Sequence, residues 1–147
     1  MTSIFETLPF VAAYQPSLLA LALLSLAILV QGVLTAPFAF APGDEEPGMP
    51  LRGTHADLSF RVIRTYANSI ENLPVFVATL LLAIIAGVDP IWVNWLAGLH
   101  VAARFLFWGV YYAGVGKIAG GPRTIGYLGG WITNTILVAM TIYSLVV

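Results

Sequence analysis

Arg61, Arg64, Asn68 and Glu71 stand at i, i+3, i+7 and i+10 at the head of a stretch that then runs apolar to Val88. At about 100° per residue of α-helix they fall within roughly 80° of one another, so a helix here carries one polar stripe. Each arginine is a planar fork suited to a carboxylate. Asparagine donates and accepts, and glutamate accepts from an ammonium group or an arginine. Such a stripe either grips a ligand or closes on neighbouring helices as a packing network. An Arg and a Glu seven residues apart are poorly placed to pair on one helix, so their partners are expected across helices or subunits.

Two further groups can join this chemistry. His100, Arg104, Phe107, Trp108 and Tyr111 recur at i, i+4, i+7, i+8 and i+11 on one helical face. Arg123, Tyr127 and Asn134 share a face further on. Arg104, in mid-helix, is expected to answer an acid such as Glu71. Arg123 suits either a site or a lipid phosphate reached by its long side chain. His55 and His100 lie far apart and give no metal site, and His100 reads as a satisfied core residue. The chain has no cysteine, which excludes disulfides, a thiol nucleophile and thiolate metal ligation.

The elements that must carry these residues are set by composition. The chain of 147 residues is 59% hydrophobic and 9% charged, with a mean hydropathy of +0.91. A soluble domain carries about 25% charged residues. The composition implies a multi-pass integral membrane protein, all-α, folded as a single domain over 1–147. The net charge of −1 argues against a nucleic-acid partner.

Residues 1–15 hold one charge, Glu6, and no Lys or Arg, unlike a secretory leader. A first helix is expected over about 14–38, with Pro16 tolerated in its first turn. Residues 41–54, with three prolines and three glycines, form a hydrophilic loop that includes the acidic run Asp44-Glu45-Glu46. A second helix over about 56–86, capped by Thr54 or Asp57, carries the polar stripe. Pro74 is expected to kink it just after Glu71. A turn at Gly87-Val88-Asp89-Pro90 leads to a third helix over about 90–114. The glycine-rich link to Pro122 precedes a fourth over about 122–145. Gly126, Gly129 and Gly130 allow close helix contact and suit oligomer packing.

All six basic residues lie in, or towards, the loops after helices 1 and 3. With four spans those loops share one side, which the positive-inside rule makes cytoplasmic. Both termini are then lumenal or periplasmic. The three polar groups converge at the cytoplasmic half, and intramembrane polar groups that converge mark a site.

The pattern Arg61-x-x-Arg64-x-x-x-Asn68-x-x-Glu71-x-x-Pro74 resembles the helix-2 signature of the MAPEG family, the membrane-associated proteins in eicosanoid and glutathione metabolism. Arg104-x-x-Phe107-x-x-x-Tyr111 is similar to its helix-3 pattern and Arg123-Thr124-x-x-Tyr127 to the start of its helix 4. The resemblance implies a homotrimer of four-helix subunits, here of a divergent bacterial type in an inner membrane. It implies glutathione as cofactor, held by Arg64, Asn68 and Glu71, with Tyr111 lining the pocket and Arg61 counted with the binding residues from its place in the motif. Arg123 would stabilise the thiolate and Tyr127 assist. The implied activity is a glutathione-dependent transferase or peroxidase acting on hydrophobic electrophiles from the bilayer. The chain departs from several members in carrying Phe107 where they have Tyr or His, and in lacking a basic residue just after helix 1. The alternative is a non-catalytic lipid-binding or scaffold protein on the same fold, its polar stripe filled by internal pairs. A transporter would need a polar path, and helix 1 carries no charge for one.

Overall fold

The computed structural model describes residues 4–39, 53–116 and 120–147. Most of the expected 41–54 loop, with Arg52 and the acidic run, and Lys117 of the later link lie outside the described residues. Two helical turns, Ile4–Thr7 and Pro9–Ala12, precede four long helices. These are α1 (Gln15–Ala39), α2 (Leu58–Ile85), α3 (Pro90–Ala113) and α4 (Pro122–Val146).

Three of the four, α1, α2 and α4, are long and apolar enough to cross a membrane. At 24 residues α3 has the length, but Asn94, His100, Arg104 and its tryptophans and tyrosines dilute its apolar character. Its polar residues turn inward: His100, Arg104 and Tyr111 are all buried. The outside of the bundle is the apolar side. Leu19, Leu26 and Val33 of α1, Ile85 of α2 and Ile125 and Ile142 of α4 are exposed. An integral membrane protein has this arrangement because lipid, not water, covers that surface.

The helix ends follow from local chemistry. Gly87 takes φ 69° after α2 and Gly114 takes φ 66° after α3, a region that favours glycine. After α2, Gly87 N donates to Ile84 O and Val88 N to Ala83 O. After α3, Gly114 N donates to Tyr111 O and Val115 N to Val110 O. These paired bonds satisfy carbonyls that a helix end leaves open. Asp89 caps α3, its Oδ1 accepting from Ile91 N at 2.8 Å. Asp57 stands at the cap position of α2, but its carboxylate turns back to Thr54 instead, accepting from Thr54 N at 2.9 Å and Thr54 Oγ1 at 3.1 Å. Helix α2 continues on both sides of Pro74.

The helices pack in an up-and-down bundle, with α2 and α3 each meeting all three other long helices. Phe76, Leu80 and Ala83 of α2, Val93 and Ala97 of α3 and Leu137 of α4 form its centre. Polar ties fix one end: Tyr14 Oη donates to Val88 O at 2.6 Å, and Asn94 Oδ1 accepts from both Ser17 N and Ser17 Oγ. At the other end α4 approaches α3 through glycine. A Cβ on Gly126 would stand 2.8 Å from Phe107 N, and one on Gly129 would stand 3.1 Å from Ala103 Cβ. These glycines, which the sequence suggested for contact between copies, serve the α3–α4 contact within one subunit.

Candidate functional site

The first turns of α2, the last turns of α3 and the first turn of α4 meet at one end of the bundle. They enclose a cleft of about 340 Å³, lined by His55, Arg64, Asn68, Glu71, Phe107, Tyr111, Arg123, Thr124 and Tyr127. Of the residues singled out from the sequence, Arg64, Asn68, Glu71, Tyr111, Arg123 and Tyr127 are all brought to this cleft. Arg61 is not.

Arg61 instead latches the segment before α2 to the end of α3. Its Nη1 donates to His55 O at 2.9 Å and Ala56 O at 2.7 Å, and its Nε to Tyr112 O at 3.4 Å. A Cβ on Gly114 would lie 3.1 Å from the Arg61 Cζ, so this glycine has a steric reason as well as its positive φ.

Arg64 and Glu71 pair with each other, Nη1 to Oε1 at 2.9 Å. The expectation that seven residues are too many is corrected by side-chain reach: two turns separate the Cα atoms by about 10 Å, and a long arginine and a glutamate close that gap along the stripe. The pair is solvent-accessible, the two side chains 39% and 54% exposed. An exposed ion pair contributes only about 0–1 kcal/mol, so a ligand can open it at small cost.

Arg104 makes no direct ion pair with Glu71, whose carboxylate acts on it only from a distance. The arginine is 5% exposed, and its Nη2 donates to Asn68 Oδ1 at 2.6 Å. Its Cζ lies 5.0 Å from the centre of the Phe107 ring. A buried guanidinium needs strong acceptors, and a neutral amide oxygen with an aromatic face serves where a carboxylate was expected. Asn68 is thereby oriented, its Oδ1 towards α3. Asn72 Nδ2 donates to Asn68 O at 2.7 Å and adds a second tie on the same helix.

His55 is a site residue that sequence reasoning placed in a loop and left there. Its Nδ1 lies 3.0 Å from Tyr111 Oη and 3.4 Å from Arg123 Nη1. Arginine only donates, so Nδ1 accepts and the ring proton sits on Nε2. Burial, then Arg123 and Arg61, hold the His55 imidazole below its usual range. Arg123 also lies over the Tyr111 ring at 5.0 Å. The spacing of His55 to the stripe gave no signal, because the latch by Arg61 that brings it in depends on a carbonyl at the far end of α3. Thr124 also lines the cleft; its place beside Arg123 was visible in the sequence only through the family pattern. Among the described residues no cluster of His, Asp and Glu suits a metal ion.

The cleft thus holds an ion pair, Arg64 with Glu71, on the α2 side, and a second cation, Arg123, beside Tyr111 and His55. It is suited to an extended ligand carrying both charges. A model of the MAPEG family matches residues 9–143. No curated protein matches the chain.

Proposed function

The chain belongs to the MAPEG family, and from that premise we propose that it binds glutathione in the α2–α3–α4 cleft and acts as a membrane glutathione transferase or peroxidase on hydrophobic electrophiles. One observation carries the reading: a cation, an amide and an anion on one stripe of α2 share a cleft with Tyr111, Arg123 and Tyr127 from two other helices. The donor set fits the tripeptide. Glu71 would hold its ammonium group, Arg64 a carboxylate, and Asn68 would present its amide nitrogen, since Oδ1 is held by Arg104.

Bound glutathione supplies the thiol nucleophile that a chain without cysteine lacks. Arg123 places positive charge at its end of the cleft, which favours an ionised sulfur there. Tyr111, tied to His55, and Tyr127 offer hydroxyls along the same wall. Phe107, packed against both tyrosine rings, adds no hydrogen bond. It keeps that wall apolar on the side from which a lipid-soluble electrophile would come. The active form in this reading is a homotrimer in which each subunit crosses the membrane four times, with the cleft on the cytoplasmic side and both termini opposite.

Calorimetry of the detergent-purified protein tests the reading. Saturable glutathione binding is expected, weakened about tenfold or more by Arg64→Ala and by Glu71→Ala, since each removes a charge-assisted bond of about 1.5–3 kcal/mol. No binding to folded protein at millimolar glutathione would sink it. That outcome would favour a non-catalytic lipid-binding or scaffold role, which the Arg64–Glu71 and Arg104–Asn68 pairs support by closing the stripe on the protein itself.

A further inference from the structure

His55 reaches the cleft wall from outside the long helices. It is pinned there from two sides. Arg61 Nη1 donates to its carbonyl at 2.9 Å, and the Phe60 ring meets the imidazole edge-on, with centroids 5.1 Å apart. What this delivers to the cleft is a hydrogen-bond acceptor. Tyr111 Oη lies 3.0 Å from His55 Nδ1, and Arg123 Nη1 lies 3.4 Å from the same nitrogen. Arginine cannot accept, so Nδ1 carries no proton and Tyr111 is the donor. Nδ1 has a single lone pair, and the shorter contact, from Tyr111, takes most of it. Towards a ligand, Tyr111 Oη then offers lone pairs.

This direction has a chemical consequence. A thiol S–H set against Tyr111 Oη would donate to it, and the series S–H, O–H, N would run in one sense, arranged to pass a proton. Arg123 Nη1 and Tyr111 Oη meet at one imidazole nitrogen, so a sulfur beside the first is also beside the second. We propose that His55 is the proton acceptor that ionises the thiol of bound glutathione, acting through Tyr111. The S–H bond breaks as its proton goes to Tyr111 Oη, and the proton that Tyr111 held goes to His55 Nδ1. Thiol and imidazole become thiolate and imidazolium, the tyrosine ends unchanged, and nothing is oxidised or reduced. The inference rests on the glutathione reading of the cleft.

The charges around the ring suit this step. Arg61 of α2, Tyr111 of α3 and Arg123 of α4 face it. Asp57, on its own segment, is engaged by Thr54, and Arg64 and Glu71 pair with each other. Burial, then Arg123 and Arg61, hold the imidazole below its usual range while the cleft is empty, so the ring is neutral and able to accept near neutral pH. A thiolate beside Arg123 offsets those cations and favours the imidazolium, as it does wherever a thiolate and a histidine pair. His55 touches no substrate atom; it is a positioning residue for Tyr111 that also stores a proton.

Proton counting on the detergent-purified protein tests the relay. Glutathione is added at about pH 7, above the ordinary histidine range, in weak buffer. Thiolate is read by its ultraviolet absorbance and released protons by an indicator dye. S-Methylglutathione, which has no S–H, gives the release due to other groups, and this is subtracted. In the parent, thiolate should form with well under one proton released per sulfur ionised. His55→Gln still accepts from Tyr111 but cannot take a proton, and Tyr111→Phe keeps the ring under Arg123 but cuts the relay. Each should release one proton per thiolate and raise the pKa of the bound thiol by about 1 unit or more, as loss of an adjacent cation does. The double variant should be no worse than either, since both residues serve one path. If His55→Gln fails to fold, the parent count and Tyr111→Phe decide. One proton released per thiolate in the parent, a bound thiol that stays un-ionised, or a count unchanged in the folded variants would each overturn the relay and leave glutathione binding standing. Binding of neither glutathione nor S-methylglutathione would overturn both readings.

Discussion

Arg104 and Asn68 show how a buried charge depends on one neutral partner. The guanidinium is inside the bundle, and Asn68 Oδ1 is its 2.6 Å acceptor. Asn68→Ala leaves the charge without that bond and should destabilise the protein by about 1.5–3 kcal/mol. Replacing both partners by apolar residues of similar size, Asn68→Leu with Arg104→Met, should bring stability back to within about 1 kcal/mol of the parent, since an unpaired buried charge is worse than none. Unfolding in mixed micelles reads both; a double variant as weak as the single one would show that the guanidinium holds more than Asn68. His55 provides a second residue-scale test. Its folded pKa lies below the usual value near 6.5, so the folded state prefers the neutral ring. The associated stability is fully present above about pH 6.5 and is lost as pH falls through the window below it, because protonation removes the Nδ1 acceptor and adds a cation beside Arg123 and Arg61. Solvent screens part of this, so the loss should stay below about 1 kcal/mol. His55→Gln, which accepts without titrating, should flatten the fall in Tm between pH 7 and pH 5; an unchanged slope in the variant would assign the fall to other groups.

At the scale of elements, glycine decides how closely α4 meets α3. A methyl at Gly126 would press on the backbone of Phe107, and no side chain can move aside to admit it. Gly126→Ala should cost about 1–3 kcal/mol and part Tyr127 from Phe107 at the cleft wall, weakening glutathione binding. Gly98 and Gly109 of α3 meet nothing within 4 Å, and alanine there should stabilise by about 0.5–1 kcal/mol through helix propensity. Thermal unfolding of the three variants ranks them; a neutral Gly126→Ala would mean that the two helices can slide apart freely. The same elements show what could be read before any coordinates. Pro90 and Pro122 begin α3 and α4, and Gly87 and Gly114 close α2 and α3, so their limits were visible as punctuation in an apolar text. The three polar groups of the cleft were visible as helical spacing. What was hidden lies in side-chain reach and in contacts between distant segments. Pairing of Arg64 with Glu71 needs two extended rotamers, the partner of Arg104 is chosen by helix rotation, and His55 enters the cleft only because Arg61 ties its carbonyl down near the end of α3.

For the whole molecule the deciding question is whether α3 crosses the bilayer, since its hydropathy falls short of that of its neighbours. The packing gives a physical reason to expect that it does. His100 and Arg104 are buried against α2 and α4, and the side chains α3 leaves exposed include Leu99, Phe105 and Leu106. Asn94 and Arg104 find hydrogen-bond partners on α1 and α2, so neither needs water around the helix. Four crossings put the start of α2 and the C-terminus on opposite faces; three would put them on the same face. The chain has no cysteine, so Ala56→Cys and Val147→Cys each create a single labelling site, both exposed. A maleimide that cannot cross membranes should label Ala56→Cys only from the cytoplasmic face and Val147→Cys only from the other. Labelling of both from one face would mean that α3 does not cross, and with it would go the four-span bundle. Labelling of Ala56→Cys from the outer face alone would keep four spans but reverse the orientation, and the glutathione cleft would then open away from the cytosol.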